Sequence, residues 1–204
     1  LLYKKQVTEK DTLFIVINGT QHGSSLVGCE AASITTLKAI ETLQPDLVIN
    51  SGTCGAFKRK GADIGHVYIG NAVMFHDRRV MGDDEWGTQA LGNYKLWEKS
   101  EEIAQCLNLK TGKVTTGSSL DMQPCDLEII EENNGELKDM EAAAVAFVCS
   151  LFKTPCLLVK SVTDLLDGGE NTLEEFRRNL FQASTELSKA NIRLIEHLIE
   201  KKYL

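Results

Sequence analysis

The chain has 204 residues, 43% hydrophobic and 25% charged, which is length and apolar content enough for one substantial core, so a single domain over residues 1–204 is expected. A formal net charge of −7, with no basic cluster larger than Lys58-Arg59-Lys60, argues against nucleic acid as a partner. No apolar run approaches the roughly 18 residues that span a bilayer, and the six cysteines lack C-x-x-C spacing and read as reduced, buried thiols, so a cytoplasmic protein with no membrane partner and no secretory leader is expected.

The opening Leu1-Leu2-Tyr3-Lys4-Lys5 resembles the middle of a longer segment, so an excised or a partly disordered N-terminus is expected. Leu13 to Ile17 is a continuous apolar run after the polar turn Thr8 to Asp11 and predicts a buried β-strand. A Gly/Ser-rich loop from Gly19 to Gly28 leads into a helix carrying Ala31, Ile34, Leu37 and Ile40 on one side and stopped at Pro45. The strand Leu47 to Asn50 runs into Ser51-Gly52-Thr53-Cys54-Gly55-Ala56, a small-residue turn whose backbone can come close to a ligand. One or two strands are expected from Ile64 to Val80, ending in His76-Asp77-Arg78-Arg79, with a flexible loop from Met81 to Gly92. Leu96, Trp97, Ile103, Ala104 and Leu107 space as a helix face, Val114 to Thr116 as a strand, and Leu120-Asp121-Met122 as the opening of a short helix past Pro124.

After the polar tract Glu131 to Glu136, Leu137 to Glu141 leads into a small-residue helix from Ala142, where Glu141 complements the helix dipole. The run Leu157 to Asp164 is apolar and β-branched without alternation, which predicts a strand covered on both faces with a polar C-terminal end of the kind where α/β sheets place ligands. Thr172-x-x-Glu175 has the form of a capping box, and Leu173, Phe176, Leu180, Leu187, Leu194 and Leu198 give the closing helix its stripe. The alternation of elements predicts an α/β fold around a largely buried mixed sheet, with the segments at Ser51–Gly55, Thr116–Met122, Met140-Glu141 and Ser161–Asp164 meeting at one edge.

Taken together, Ser51 to Phe57, Phe75 to Arg79, Thr116 to Met122, Lys138 to Ala144 and Ser161 to Asp164 resemble, in that order, the nucleoside phosphorylase/nucleosidase superfamily, and within it the plant-type 5′-methylthioadenosine nucleosidases. The likeness runs from about Leu13 to the closing helix. It implies a three-layer α/β/α sandwich around a central mixed sheet, nucleoside phosphorylase-like, and hydrolysis of the bond between adenine and the ribose of a 5′-thioether nucleoside. It also implies no cofactor, a homodimer, and a place in nucleoside catabolism and methionine salvage.

That reaction needs an acid, because adenine leaves poorly as an anion: nitrogen 7 must be protonated while the sugar becomes oxocarbenium-like and water arrives at the anomeric carbon. By resemblance Asp164 is the acid, and a free Asp titrates near 3.9, so burial or the purine must raise it. On its own an Asp at a strand end is a turn cap. Glu141 resembles the ionised carboxylate that accepts the ribose hydroxyls, with Met140 packed along the sugar. Thr163 is expected to orient Asp164, Lys160 to stand near the water, Thr53, Cys54 and Gly55 beside sugar and water, Leu120 and Asp121 at the adenine edge, and Leu173 at the lip of the 5′-thioalkyl pocket. In the family a loop from a neighbouring subunit closes that pocket, and the loop containing Trp86 corresponds to it here. No metal is expected: His22 and His76 lack companion ligands, His76 reads as structural or interfacial, and Asp77 and Arg78 read as an ion pair.

Three departures stand out. The family's N-terminal strand, which delivers a water-activating Glu, has no counterpart here, and Glu9 sits in a polar turn. Ala56 and Ser118 replace a usual Gly and Asp. Two rivals remain: phosphorolysis, which needs strong cations where this chain has Asn50, and a non-catalytic storage or nucleoside-binding relative.

Overall fold

The computed structural model describes residues 2–80 and 84–203. The chain opens with an antiparallel hairpin of β1 (Leu2–Gln6) and β2 (Thr12–Val16), followed by a two-residue ladder of β3 (Thr20–Gln21) and β4 (Ser24–Ser25). Of the opening segment, Leu1 lies outside the described residues, and where partial disorder was one expectation residues 2–6 form a strand. The expected buried strand at Leu13–Ile17 is β2, and Ile15, Val16 and Ile17 are exposed. An apolar run specifies extended backbone but not what covers it, and among the described residues β2 pairs with β1 alone, outside the central sheet.

The remaining elements are α1 (Cys29–Leu43), β5 (Val48–Ala56), a 3₁₀ turn (Lys58–Lys60), β6 (Val67–Phe75), α2 (Asp84–Leu91), α3 (Ser100–Leu107), β7 (Lys110–Thr116), α4 (Pro124–Glu132), β8 (Leu137–Asp139), α5 (Ala142–Phe152), β9 (Cys156–Leu165) and α6 (Thr172–Lys201). α1 ends as expected before Pro45, with Gln44 in the left-handed region donating to the Ile40 carbonyl. Its buried face is Ala32, Thr36 and Ile40, whereas Ile34 and Leu37 of the expected stripe are exposed. The partner is α5, whose Ala-rich surface accepts a face of small residues at close range.

The small-residue segment expected as a turn at Ser51–Ala56 is instead the second half of β5, bulged between Cys54 and Gly55 against β9. Of the loop expected at Met81–Gly92, residues 81–83 lie outside the described residues and 84–91 form α2. The helix expected to open at Leu120–Met122 starts at Pro124, because Gln123 and Asp126 form a reciprocal capping box there.

The sheet is mixed. β5 and β9, β6 and β7, and β7 and β8 run parallel, while β5/β8 and β6/β9 are antiparallel, and the order β5-β8-β7-β6-β9 closes on itself. Closure depends on β8, three residues that bridge β5 and β7. One hydrophobic cluster joins the sheet to α1 and α5 through Ala32, Ile40, Val145, Leu158 and Val162; a second joins it to α3 and α6 through Ile69, Ile103, Leu157, Val159, Leu194 and Leu198. The result is the expected α/β/α layering, with a curled sheet in the middle. β9 is buried on both faces from Cys156 to Asp164, as its unbroken apolar run requires.

Candidate active site

The ladder brings the C-terminal ends of β5, β7, β8 and β9 together. Gly55 stands opposite both Asp164 and Lys138, and Thr116 opposite Asp139. Asp164 is 4% exposed. The Thr163 hydroxyl lies 2.8 Å from its Oδ1 and 3.2 Å from the Cys54 carbonyl. Gly55 is required by this packing: a Cβ there would sit 2.5 Å from Asp164 Oδ2 and 2.6 Å from Leu166 Cδ2. Burial pushes the Asp164 carboxyl above the usual carboxylate range, with the Thr163 hydroxyl and the Lys138 ammonium pulling it down and the Glu175 carboxylate adding to the rise. A group in this state can hold a proton to give away.

Glu141 is the N-cap residue of α5, but its carboxylate does not cap its own helix. Its Oε1 accepts the Gly28 N–H at 2.7 Å, at the start of α1, where Gly28 has φ +95°. A carboxylate has lone pairs for several donors, so the other oxygen can accept hydroxyls. Met140 is half-buried, and its carbonyl accepts the Cys29 thiol at 3.3 Å.

Beneath this pair lies a buried network. Lys160 Nζ is 2.7 Å from Asp139 Oδ2, both side chains being 1% exposed. Asp139 also accepts the Thr116 hydroxyl at 2.6 Å and the Ala142 N–H at 2.9 Å, and the Thr116 hydroxyl oxygen accepts the Ala143 N–H at 2.9 Å. The first turn of α5 is therefore capped by Asp139 and Thr116. Burial works against the Lys160 charge, but Asp139, with help from Glu141, more than offsets it and holds the ammonium above the ordinary lysine range. Gly52 runs over it, an added Cβ there lying 3.4 Å from Nζ. Thr53 is half-buried, and Cys54 is buried, which pushes its thiol well up and keeps it protonated.

Leu120, Asp121 and Leu173 come together with Ser119, Asn171 and Thr172 around a cleft of about 410 Å³. Asp164, Glu141, Met140, Thr53 and Gly55 do not line it; they belong to the strand-end cluster described above. Trp86 is 59% exposed on α2, on a helix where a loop was expected.

Several residues in the cluster carry no signal in the sequence, or a misleading one. Asp139, three residues before an Ala-rich helix, is a legible N-terminal signal. Lys138 and Glu175 are not, since a charge beside apolar residues usually reads as a solvated face. The capping box expected at Thr172–Glu175 is not formed: Asn171 caps α6 instead, its Oδ1 accepting the Leu173 and Glu174 N–H groups. Glu175 is thereby free to turn inward, where Oε2 accepts the Leu165 N–H at 3.0 Å. Nor do Asp77 and Arg78 pair with each other. Asp77 accepts the Ser118 N–H at 2.6 Å, and Arg78 lies over the Phe75 ring. His76 is buried with its imidazole against Gly117, and burial, then Lys138, lowers its pKa, so it stays neutral. Among the described residues no group of three His, Cys, Asp or Glu side chains is arranged to hold a metal ion.

Against known proteins, residues 4–199 match the family model of the phosphorylase superfamily. The chain is 41% identical over 181 residues to the 5′-methylthioadenosine/S-adenosylhomocysteine nucleosidase of Arabidopsis thaliana, covering 88% of this chain and 70% of that protein. It is 42% identical to the 5′-methylthioadenosine nucleosidase of the same plant, covering 86% of this chain and 65% of that protein, just under two thirds of its length. The solved apo structure of Arabidopsis 5′-methylthioadenosine nucleosidase superposes with a TM-score of 0.88 at 36% identity, covering 97% of this chain and 87% of the other.

Proposed function

The chain belongs to the phosphorylase superfamily, and on that premise we propose that it hydrolyses the N-glycosidic bond of 5′-methylthioadenosine to adenine and 5-methylthioribose. The observation that carries this reading is Asp164: buried at a strand end, with its carboxyl raised by that burial and a hydroxyl at 2.8 Å to orient it. As the C1′–N9 bond breaks, its electron pair passes to the purine, and Asp164 delivers a proton to nitrogen 7. Water adds to C1′ and its proton passes to solvent, from which the Asp164 carboxylate is reprotonated for the next turnover. Glu141, ionised, takes the ribose hydroxyls on the oxygen not held by Gly28, and Met140 packs along the sugar. Thr53, Cys54 and Gly55 flank the sugar, Leu120 and Asp121 read the base, Thr163 orients the acid, and Leu173 forms the lip of the 5′-thioalkyl pocket. Lys160 serves from below, through Asp139, as support for the α5 terminus that carries Met140 and Glu141.

Hydrolysis is favoured over phosphorolysis by the charges available. A phosphate dianion needs uncommitted cations; Asn50 is neutral, and Lys160 is already neutralised by Asp139.

We further propose one catalytic domain over residues 1–204, acting as a cytoplasmic homodimer in methionine salvage. No helix among the described residues is long and apolar enough to cross a membrane. Support for the dimer is the set of exposed apolar side chains on two helices packed together: Ile34 and Leu37 of α1, Phe147, Leu151 and Phe152 of α5. In such a dimer α2, with Trp86, is the segment proposed to close the neighbouring pocket.

The test is incubation of the protein with 5′-methylthioadenosine in phosphate-free buffer, with chromatography for free adenine. Asp164→Asn should lower kcat by about 10²-fold or more, the usual worth of a general acid. No adenine from the wild type, or full activity in the variant, defeats the reading.

A further inference from the structure

Lys138 is assigned no contact with substrate above, and it bears on the chemistry only through the field its ammonium puts on Asp164. It lies on β8 with 5% of its surface exposed, and among the described residues it forms no ion pair with a carboxylate. Its ammonium is spent instead on two successive backbone carbonyls: Nζ donates to Ser119 O at 2.6 Å and to Leu120 O at 3.0 Å. Burying a cation for two carbonyls is costly unless the bonds are well made, and hydrogen bonds from a charged donor are the strong kind. Burial lowers the lysine, and Asp164, Asp126, Asp121 and Asp139 support its charge.

Both carbonyls belong to the segment between β7 and α4, which has no regular secondary structure to fix its backbone. It is held by contacts alone. On one side Asp77 accepts the Ser118 N–H, and the His76 imidazole fills the space a side chain at Gly117 would take. Lys138 holds the other. A carbonyl that accepts from an ammonium is a weaker acceptor for anything else. The Leu120 and Asp121 N–H groups, by contrast, have no acceptor among the described residues. Both N–H groups belong to residues that line the 410 Å³ cleft. Donors suit nitrogen 1 of a 6-aminopurine, which is an acceptor; in a 6-oxopurine the same atom carries hydrogen, and donor would face donor.

Resting on the reading of Leu120 and Asp121 as the base-facing segment, we propose that Lys138 is the positioning residue of base recognition: clamping the Ser119 and Leu120 carbonyls sets the backbone edge that selects an aminopurine over an oxopurine.

The test compares wild type with Lys138→Met, which keeps an unbranched chain and removes the donors. Adenine and hypoxanthine binding are measured by calorimetry, kcat and KM with 5′-methylthioadenosine, and folding by thermal unfolding. Adenine affinity should fall about tenfold, KM should rise by a similar factor, and the preference for adenine over hypoxanthine should shrink at least about fivefold. Unchanged adenine affinity, equal loss for both bases, or a fall in kcat at constant KM overturns the proposal. If Lys138→Met does not fold, Lys138→Gln, which offers a neutral donor on a shorter arm, takes its place with the same criteria. Wild type that binds no adenine overturns this proposal together with the site reading. Wild type that binds adenine without releasing it from the nucleoside removes only the hydrolase reading, and the two calorimetric affinities still decide the role of Lys138.

Discussion

Asp164 is buried at the end of β9 with one hydroxyl for a partner and no cation within ion-pair range among the described residues, so its charged form is the costly one in the folded protein. Its carboxyl titrates above the unfolded value of about 3.9, and the folded state therefore binds more protons than the unfolded state between the two. The stability linked to this group is present in full below pH about 4 and is lost as pH rises through the folded pKa. Asp164→Asn stays neutral throughout. It should melt above wild type near pH 8, with the gap closing toward pH 4. A variant less stable than wild type at pH 8 would contradict the assigned cost. The sequence marked Asp164 by its place at the end of an apolar run; it could not mark Lys138 or Glu175, which set the environment of Asp164 from β8 and α6.

At the scale of elements, the N-terminus of α5 is the part that holds Met140 and Glu141, and it rests on the Thr116–Asp139–Lys160 network rather than on Glu141 itself. The two ends of the ion pair are not equivalent. Removing the Asp139 charge leaves a fully buried ammonium without the carboxylate it pairs with, whereas removing Lys160 leaves Asp139 with the Thr116 hydroxyl and the Ala142 N–H. Asp139→Asn should therefore cost about 3–5 kcal/mol and Lys160→Met less, with the double variant less destabilised than the sum of the two singles. Urea unfolding midpoints of the four proteins measure it; additive effects would show that the pair is not coupled. Helix and strand identities here followed from periodicity and breakers, including the stop of α1 before Pro45. One error was local, Asn171 taking the cap one residue before the expected capping box; the other came from outside the local window, β9 extending β5 through an expected turn.

For the whole molecule, the two hydrophobic clusters bury α3 and α6 on one side of the sheet and the inner faces of α1 and α5 on the other, leaving Ile34, Phe147, Leu151 and Phe152 uncovered. If two copies bury this face, light scattering should give about twice the chain mass of 22.5 kDa, and Leu151→Asp should shift it toward the single mass without abolishing the fold. A wild-type mass of one chain would dismiss the dimer.

The sequence by itself determined most of the helices and central strands, though not β1, the second half of β5 or α2, together with the buried character of β9 and the set of motifs whose residues are gathered at one end of the sheet, because each of these is written in local periodicity or in residue type. Tertiary structure alone decided that the sheet closes through β8, that β2 lies outside it, that Glu141 holds Gly28 across 113 residues, and that Lys138 clamps the Ser119 and Leu120 carbonyls rather than facing water. Those outcomes depend on which surfaces meet and exclude water, and no spacing within a single element encodes that.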